Sequence, residues 1–187
     1  MEDILTYFEK LSSLSDKSKR VLFDLIEKEH YSKGDIIQPI GSRCRTIYFI
    51  TEGVARIFYY KDGTDITEHF AFDSNIIIRA ESLFTEQPTS KGIQALTTLT
   101  LIRINSDDLF ALFDLYKDIE RLFYKIITHE YIALTKRVEQ LQNNTATERY
   151  RELLRQTTLV NEIPLKYIAT YLGITDVSLS RIRAGVK

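Results

Sequence analysis

The stretch Leu165–Arg183, LKYIATYLGITDVSLSRIR, decides how this chain is read. Ile168, Ala169 and Leu172 fall on one face of a short helix by 3,4 spacing. Leu179 and Ile182 do the same in a second segment, and Ile174 plugs the turn between them. Ala169 is small where two helices cross closely, and Gly173 permits a sharp turn. Asp176 or Thr175 can cap the second helix. Two short amphipathic helices joined in this way predict a helix-turn-helix, whose second helix enters the DNA major groove. An ordinary helical hairpin is the plain alternative. The run Ala169-x3-Gly173-x5-Leu179, with Ser180-Arg181 and Arg183 behind it, is more specific than that.

In the second helix Leu179 and Ile182 face inward, so Asp176, Val177, Ser180 and Arg181 face outward. Arg181 is the best base reader, because its fork matches guanine O6 and N7. Asp176 either accepts from a cytosine amino group or only caps the helix, and Val177 offers methyls to thymine. Thr175, Ser178 and Arg183 are better placed for phosphates, which set register without reading sequence.

The 187 residues are enough for one large domain or two small ones. An apolar share of 44% and a charged share of 27% are those of a soluble globular protein. No apolar run approaches the roughly 20 residues of a membrane span. The opening MEDILTYFEK is acidic and amphipathic, unlike a secretory signal, so a cytoplasmic location is expected, with no membrane partner. Cys44 stands alone, which excludes an internal disulfide and any multi-cysteine cluster within the chain. Residues 145–187 hold seven basic and four acidic residues, a net of +3 on a remainder of −4. A basic end on an acidic body fits a nucleic-acid-contacting module, although many solvated faces carry as much.

Residues 2–11 and 16–28 read as helices, the second capped by Ser15. From about 29 to 104, short β-rich runs alternate with turn residues: 36–37, 46–50, 54–60, 66–72, 92–96 and 99–104. Asp62-Gly63 marks a hairpin. Many short strands at close spacing predict a double-sheet jelly roll or a barrel, and the jelly roll is favoured. A short helix follows at 107–113, capped by Asn105 or Ser106, and then a long one at 117–142. The long helix holds two stripes. Ile119, Leu122, Phe123 and Ile126 face the body. Tyr124, Ile127, Tyr131, Leu134, Val138 and Leu141 make a heptad seam for the same helix of a second subunit, unless both stripes bury inside one chain. Thr145 or Thr147 caps a helix at 148–156, where Tyr150, Leu153 and Leu154 face the final helical pair. The fold class is therefore α+β, divided into 1–116 (β roll with N-terminal helices), 117–142 (dimerisation helix) and 143–187 (all-α helix-turn-helix).

In that order these parts resemble the Crp/Fnr family of bacterial transcription regulators. The resemblance is carried by Tyr31–Ile37, Ile47–Gly53, Glu148–Leu154, Tyr167–Thr175 and Leu179–Arg183. The C-terminal motifs are similar to shorter, wingless members common in Bacteroidetes. The resemblance implies a cyclic-nucleotide-binding-like jelly roll, and a homodimer that binds double-stranded DNA at a palindromic operator. It implies an affinity that changes when the roll senses an effector, and RNA polymerase as a further partner. The chain departs from the family at the ligand cassette. Cyclic-nucleotide binders carry Gly-Glu, for the ribose, and Arg-Ser/Thr-Ala, for the phosphate. Here Ile78-Arg79 and Thr89-Ser90-Lys91 stand in those places. A cation replaces the ribose acceptor, and a hydroxyl replaces the phosphate fork. Cyclic AMP is therefore not expected as effector, and no cofactor is implied. Arg79 and Lys91 read first as solvated surface cations and second as an anion-attracting pair. An effector, if one acts, is expected between the 78–91 stretch and the long helix.

A metalloenzyme on a similar roll would need clustered His and carboxylate ligands. His30, His69 and His129 lie in separate segments, and Glu68 and His69 point to opposite faces of a strand. No metal site, phosphate-binding glycine loop or nucleophile elbow is present, so no enzyme activity is expected. The leading expectation is an effector-modulated DNA-binding regulator. The alternatives are an effector-independent regulator and a protein-interaction module without DNA binding.

Overall fold

The computed structural model describes residues 2–185, with side chains from Thr6 onward. Helices α1 (Glu2–Leu11) and α2 (Asp16–Asp24) come first, and the Ser15 hydroxyl accepts from the Ser18 N–H at 3.2 Å to cap α2. α2 stops short of the expected residue 28. Residues 27–31 are instead strand β1, because Glu27 and Glu29 both reach Arg103 across the ladder, at 2.5 and 3.0 Å. Cross-strand pairing outweighs the weak helical preference of this segment.

Eight strands form two four-stranded antiparallel sheets. The first runs β1 (Glu27–Tyr31), β8 (Leu99–Asn105), β3 (Thr46–Glu52), β6 (Ile76–Ile77); the second runs β2 (Ile36–Gln38), β7 (Gly92–Ala95), β4 (Ala55–Lys61), β5 (Thr64–Ala71). β4 and β5 meet at Asp62-Gly63, both with positive φ (51° and 75°), the backbone that a two-residue hairpin demands. Alternation along each strand puts Tyr48, Ile50, Leu99 and Leu101 of one sheet against Ile57, Ala71, Ile93 and Ala95 of the other. The opposite face of the first sheet carries Ile47, Phe49, Ile102 and Ile104, which pack under the helices.

α3 (Ala80–Thr85) lies between β6 and β7. α4 (Ser106–Ala111) is capped by Asn105, whose side-chain Oδ1 accepts from the backbone N–H groups of Asp107 and Asp108. α5 (Lys117–Asn143) buries Ile119, Leu122, Phe123 and Ile126 against that helical face, each side chain contributing about 1.5–3 kcal/mol. Its second stripe is bare. Tyr124 is 69% exposed, Tyr131 66%, Leu134 57%, Val138 46% and Leu141 42%, while Ile127 leans partly on the body.

α6 (Ala146–Gln156) opens with a complete capping box, Thr145 and Glu148 bonding each other's backbone. A 3-10 turn (Thr158–Glu162) leads to α7 (Leu165–Leu172) and α8 (Asp176–Gly185). Between them Gly173 adopts φ +69°, and the Ile174 N–H closes on the Ala169 carbonyl at 3.0 Å. Tyr150, Leu153, Ile168, Ala169, Leu172 and Leu179 are buried together. Leu154, expected among them, is 39% exposed and points away from this core. The same cluster takes in Val54, Phe70, Phe72 and Leu96 from the β sandwich, so the helical end and the sandwich share apolar contacts. No helix among the described residues is long and apolar enough to cross a membrane.

Candidate functional site

The outward face of α8 is shaped by what its inward face must bury. Leu179 is fully buried and Ile182 half-buried, which turns Val177, Ser180 and Arg181 to solvent. Thr175 is the cap: its hydroxyl accepts from the Ser178 N–H at 3.2 Å and lies 3.0 Å from the Ser178 hydroxyl. Asp176 is thus released from capping and occupies the first turn, where a carboxylate is favoured by the helix dipole. Arg181 makes no hydrogen bond or ion pair among the described residues. Arg183, expected to reach outward, turns back instead. Its guanidinium donates to the Tyr150 hydroxyl at 3.0 Å and to Asn161 at 2.9 Å, bracing α8 on α6 and the 3-10 turn. Lys187, one of the basic residues of this end, lies outside the described residues.

Arg149 is one of the seven basic residues of the C-terminal end, and the structure gives it a specific place. It donates to the carbonyls of Asn144 and Leu172, so it ties the start of α6 to the end of α7 and satisfies an orphan carbonyl there. Its spacing carries no motif, and only the folded partners give it a role.

The 78–91 stretch has a geometry that corrects the reading of Arg79. This side chain is not a surface cation: it is 3% exposed. Its guanidinium donates to Gln38 Oε1 (2.8 Å), to the carbonyls of Pro39 (3.1 Å) and Lys91 (2.8 Å), and to the Ser42 hydroxyl (3.1 Å). A buried guanidinium is costly unless its donors are met, and here four of the five N–H groups are engaged. Lys91 is ion-paired with Glu68 at 2.6 Å. The Thr89 backbone bonds Gly41 and Ser42, Ser90 is exposed, and Ile78 is half-buried against the helical core.

Comparisons with known proteins bear on these two places. Residues 28–116 match the family described as cyclic nucleotide-binding domain. No curated protein matches the chain. Among solved structures, FixK2 of Bradyrhizobium japonicum superposes with a TM-score of 0.73 at 16% identity, covering 86% of this chain and 84% of that one. A protein from Eubacterium rectale described as a transcriptional regulator of the Crp/Fnr family gives 0.69 at 18% identity, covering 92% and 83%. CLP of Xanthomonas campestris, described as a c-di-GMP-responsive global regulator, gives 0.68 at 16%, covering 92% and 91%.

The chain has the fold of these regulators, and its residues 28–116 are similar to a cyclic nucleotide-binding domain.

Within residues 28–116, the 78–91 stretch is closed from inside. Arg79 spends its donors on the protein's own Gln38, Pro39, Ser42 and Lys91. A cleft of about 620 Å³ opens elsewhere in the Crp/Fnr fold, between the end of the sandwich (Glu52, Phe72, Asp73, Thr98) and the helical end (Leu154, Arg155, Glu162). His69 lies beside Arg137 of α5, and burial together with that cation lowers its pKa to about 4, so it is neutral at pH 7. Glu68 pairs with Lys91 instead of sharing a site with His69. No group of three His, Cys, Asp or Glu side chains that could hold a metal ion occurs among the described residues.

Proposed function

We propose that the chain is a sequence-specific DNA-binding transcription regulator that works as a homodimer. The observation that carries this reading is the outward face of α8. Asp176, Val177, Ser180 and Arg181 stand clear of the protein on a helix whose other face is locked by Leu179. In this reading α7, Gly173 and α8 form a helix-turn-helix behind a jelly roll, and the N-terminal half of α8 lies against base edges. The bare stripe of α5 supports the dimer, because an apolar seam at heptad spacing is half of a coiled coil. Thr175 and Ser178 contribute phosphate contacts, while Arg183 acts chiefly by bracing α8.

Selection of bound duplexes from a random pool tests the proposal. The expected product is an inverted repeat with half-sites about one helical turn apart, roughly 10 bp, bound with a steep negative salt slope. Arg181→Ala should relax preference at one base pair per half-site, a loss of about 1–3 kcal/mol of discrimination. An unenriched pool, or unchanged preference at every position of the Arg181→Ala product, counts against it.

Cyclic AMP is not the effector in this reading, because the cassette offers Arg79 where a ribose acceptor is required. Calorimetric titration with cyclic AMP should give no heat at micromolar concentrations, and saturable binding there would overturn the assignment. The closed contacts of Arg79 favour a second reading, in which the regulator needs no effector.

A further inference from the structure

We propose that Tyr167 is a positioning residue: it closes a buried clasp on Arg56 of β4 and thereby presets the orientation of α8 relative to α5. The proposal rests on the DNA-binding reading above.

Arg56 is 1% exposed. Its guanidinium forks onto Asp65 at 2.7 and 2.8 Å, and donates to Thr67 at 3.0 Å and to Gln94 at 2.9 and 2.8 Å. Both terminal nitrogens and Nε are thus engaged in the guanidinium plane, and only its faces remain for further contact. Its carbon lies 3.5 Å from the centroid of the Tyr167 ring, so α7 covers the ion pair of the sandwich. One turn along α7, the Thr170 hydroxyl accepts the Thr67 N–H at 3.1 Å. β5 is the outer strand of its sheet, and its edge is therefore capped by this helix. Tyr171 packs at a tilt against Phe70, ring centroids 4.6 Å apart, and the Arg137 guanidinium of α5 lies over the Tyr171 ring at 3.5 Å while donating to the Tyr171 carbonyl at 2.8 Å.

Residues 167, 170 and 171 occupy one face of α7 by 3,4 spacing, and that face meets β4, β5 and α5 together. The opposite side of α7 holds α8 through Ala169, Leu172 and Leu179. The reading helix is therefore fixed, through α7, to the helix that carries the dimer seam. For a protein that reads two half-sites at once, a preset angle selects one spacing and spares the ordering cost of binding.

The full chain is tested as Tyr167→Ala and Tyr167→Phe, the second keeping the ring face. Without DNA, hydrogen exchange at the Thr67 amide should quicken at least tenfold in Tyr167→Ala and stay near wild type in Tyr167→Phe, with the Leu179 amide still protected. With DNA, wild type should lose at least tenfold in affinity when one base pair is inserted between half-sites. Tyr167→Ala should bind the native spacing about tenfold more weakly and discriminate less between the two spacings. Unchanged exchange, unchanged discrimination or tighter operator binding by Tyr167→Ala would each overturn the clasp. Should the alanine variant unfold α7 and α8, Arg56→Lys removes the planar partner from the sandwich side, and the same losses are expected. If wild type binds no duplex, the DNA reading falls, while the exchange result still decides the clasp.

Discussion

Leu134→Glu is expected to convert the protein to monomers and to abolish operator binding at concentrations where wild type is dimeric. In the single chain Leu134 is 57% exposed, and Glu is a good helix former, so α5 itself should be undisturbed. In a paired seam, however, the substitution brings two carboxylates into apolar surroundings across the two-fold axis. Each costs several kcal/mol to desolvate. Even about 4 kcal/mol in total weakens association on the order of a thousandfold. Light scattering should report the mass of one chain, and circular dichroism an unchanged helix content. A mutant that remains dimeric would mean that the bare stripe of α5 has another use.

The second large effect is expected at Arg79. Arg79→Glu installs the residue type that the resemblance to cyclic-nucleotide binders would lead one to expect here, yet it should confer no cyclic AMP binding and should destabilise the fold. The new carboxylate would face Gln38 Oε1 and the carbonyls of Pro39 and Lys91, all acceptors that now receive N–H groups. Buried acceptors left without donors cost about 1–3 kcal/mol each, so a loss of roughly 3 kcal/mol or more is expected. Urea unfolding of wild type and mutant measures it. A mutant as stable as wild type would show that the guanidinium contacts contribute nothing to folding.

The sequence was most legible where one periodicity dominates. The Asp62-Gly63 hairpin, the Asn105 and Thr145 caps and the turn at Gly173 each follow from local backbone chemistry, and each stands where it was expected. The two stripes of α5 were readable because a 27-residue helix gives the 3,4 pattern room to repeat. β1 was hidden, since its residues make sense as a strand only beside Arg103, some seventy positions away. β6 spans two residues and offers no pattern at all. The roles of Arg56, Arg79, Arg137 and Arg149 were illegible for a different reason. A lone arginine in sequence is a surface cation until distant carbonyls, carboxylates and rings close around it, and none of these partners lies at a fixed spacing.

The apolar cluster that joins Phe70, Phe72, Val54 and Leu96 to Ile168 and Leu172 bears on how such a chain can evolve. Its two ends cannot drift independently. A crossover that exchanged only the last forty or so residues would set a foreign helix against Thr67 and Phe70, and would take the Tyr167 ring from Arg56, leaving only Phe58 beside it. Inheritance of a new α8 is therefore easiest when β4 and β5 travel with it, or when change is confined to its outer face, where Val177, Ser180 and Arg181 are exposed.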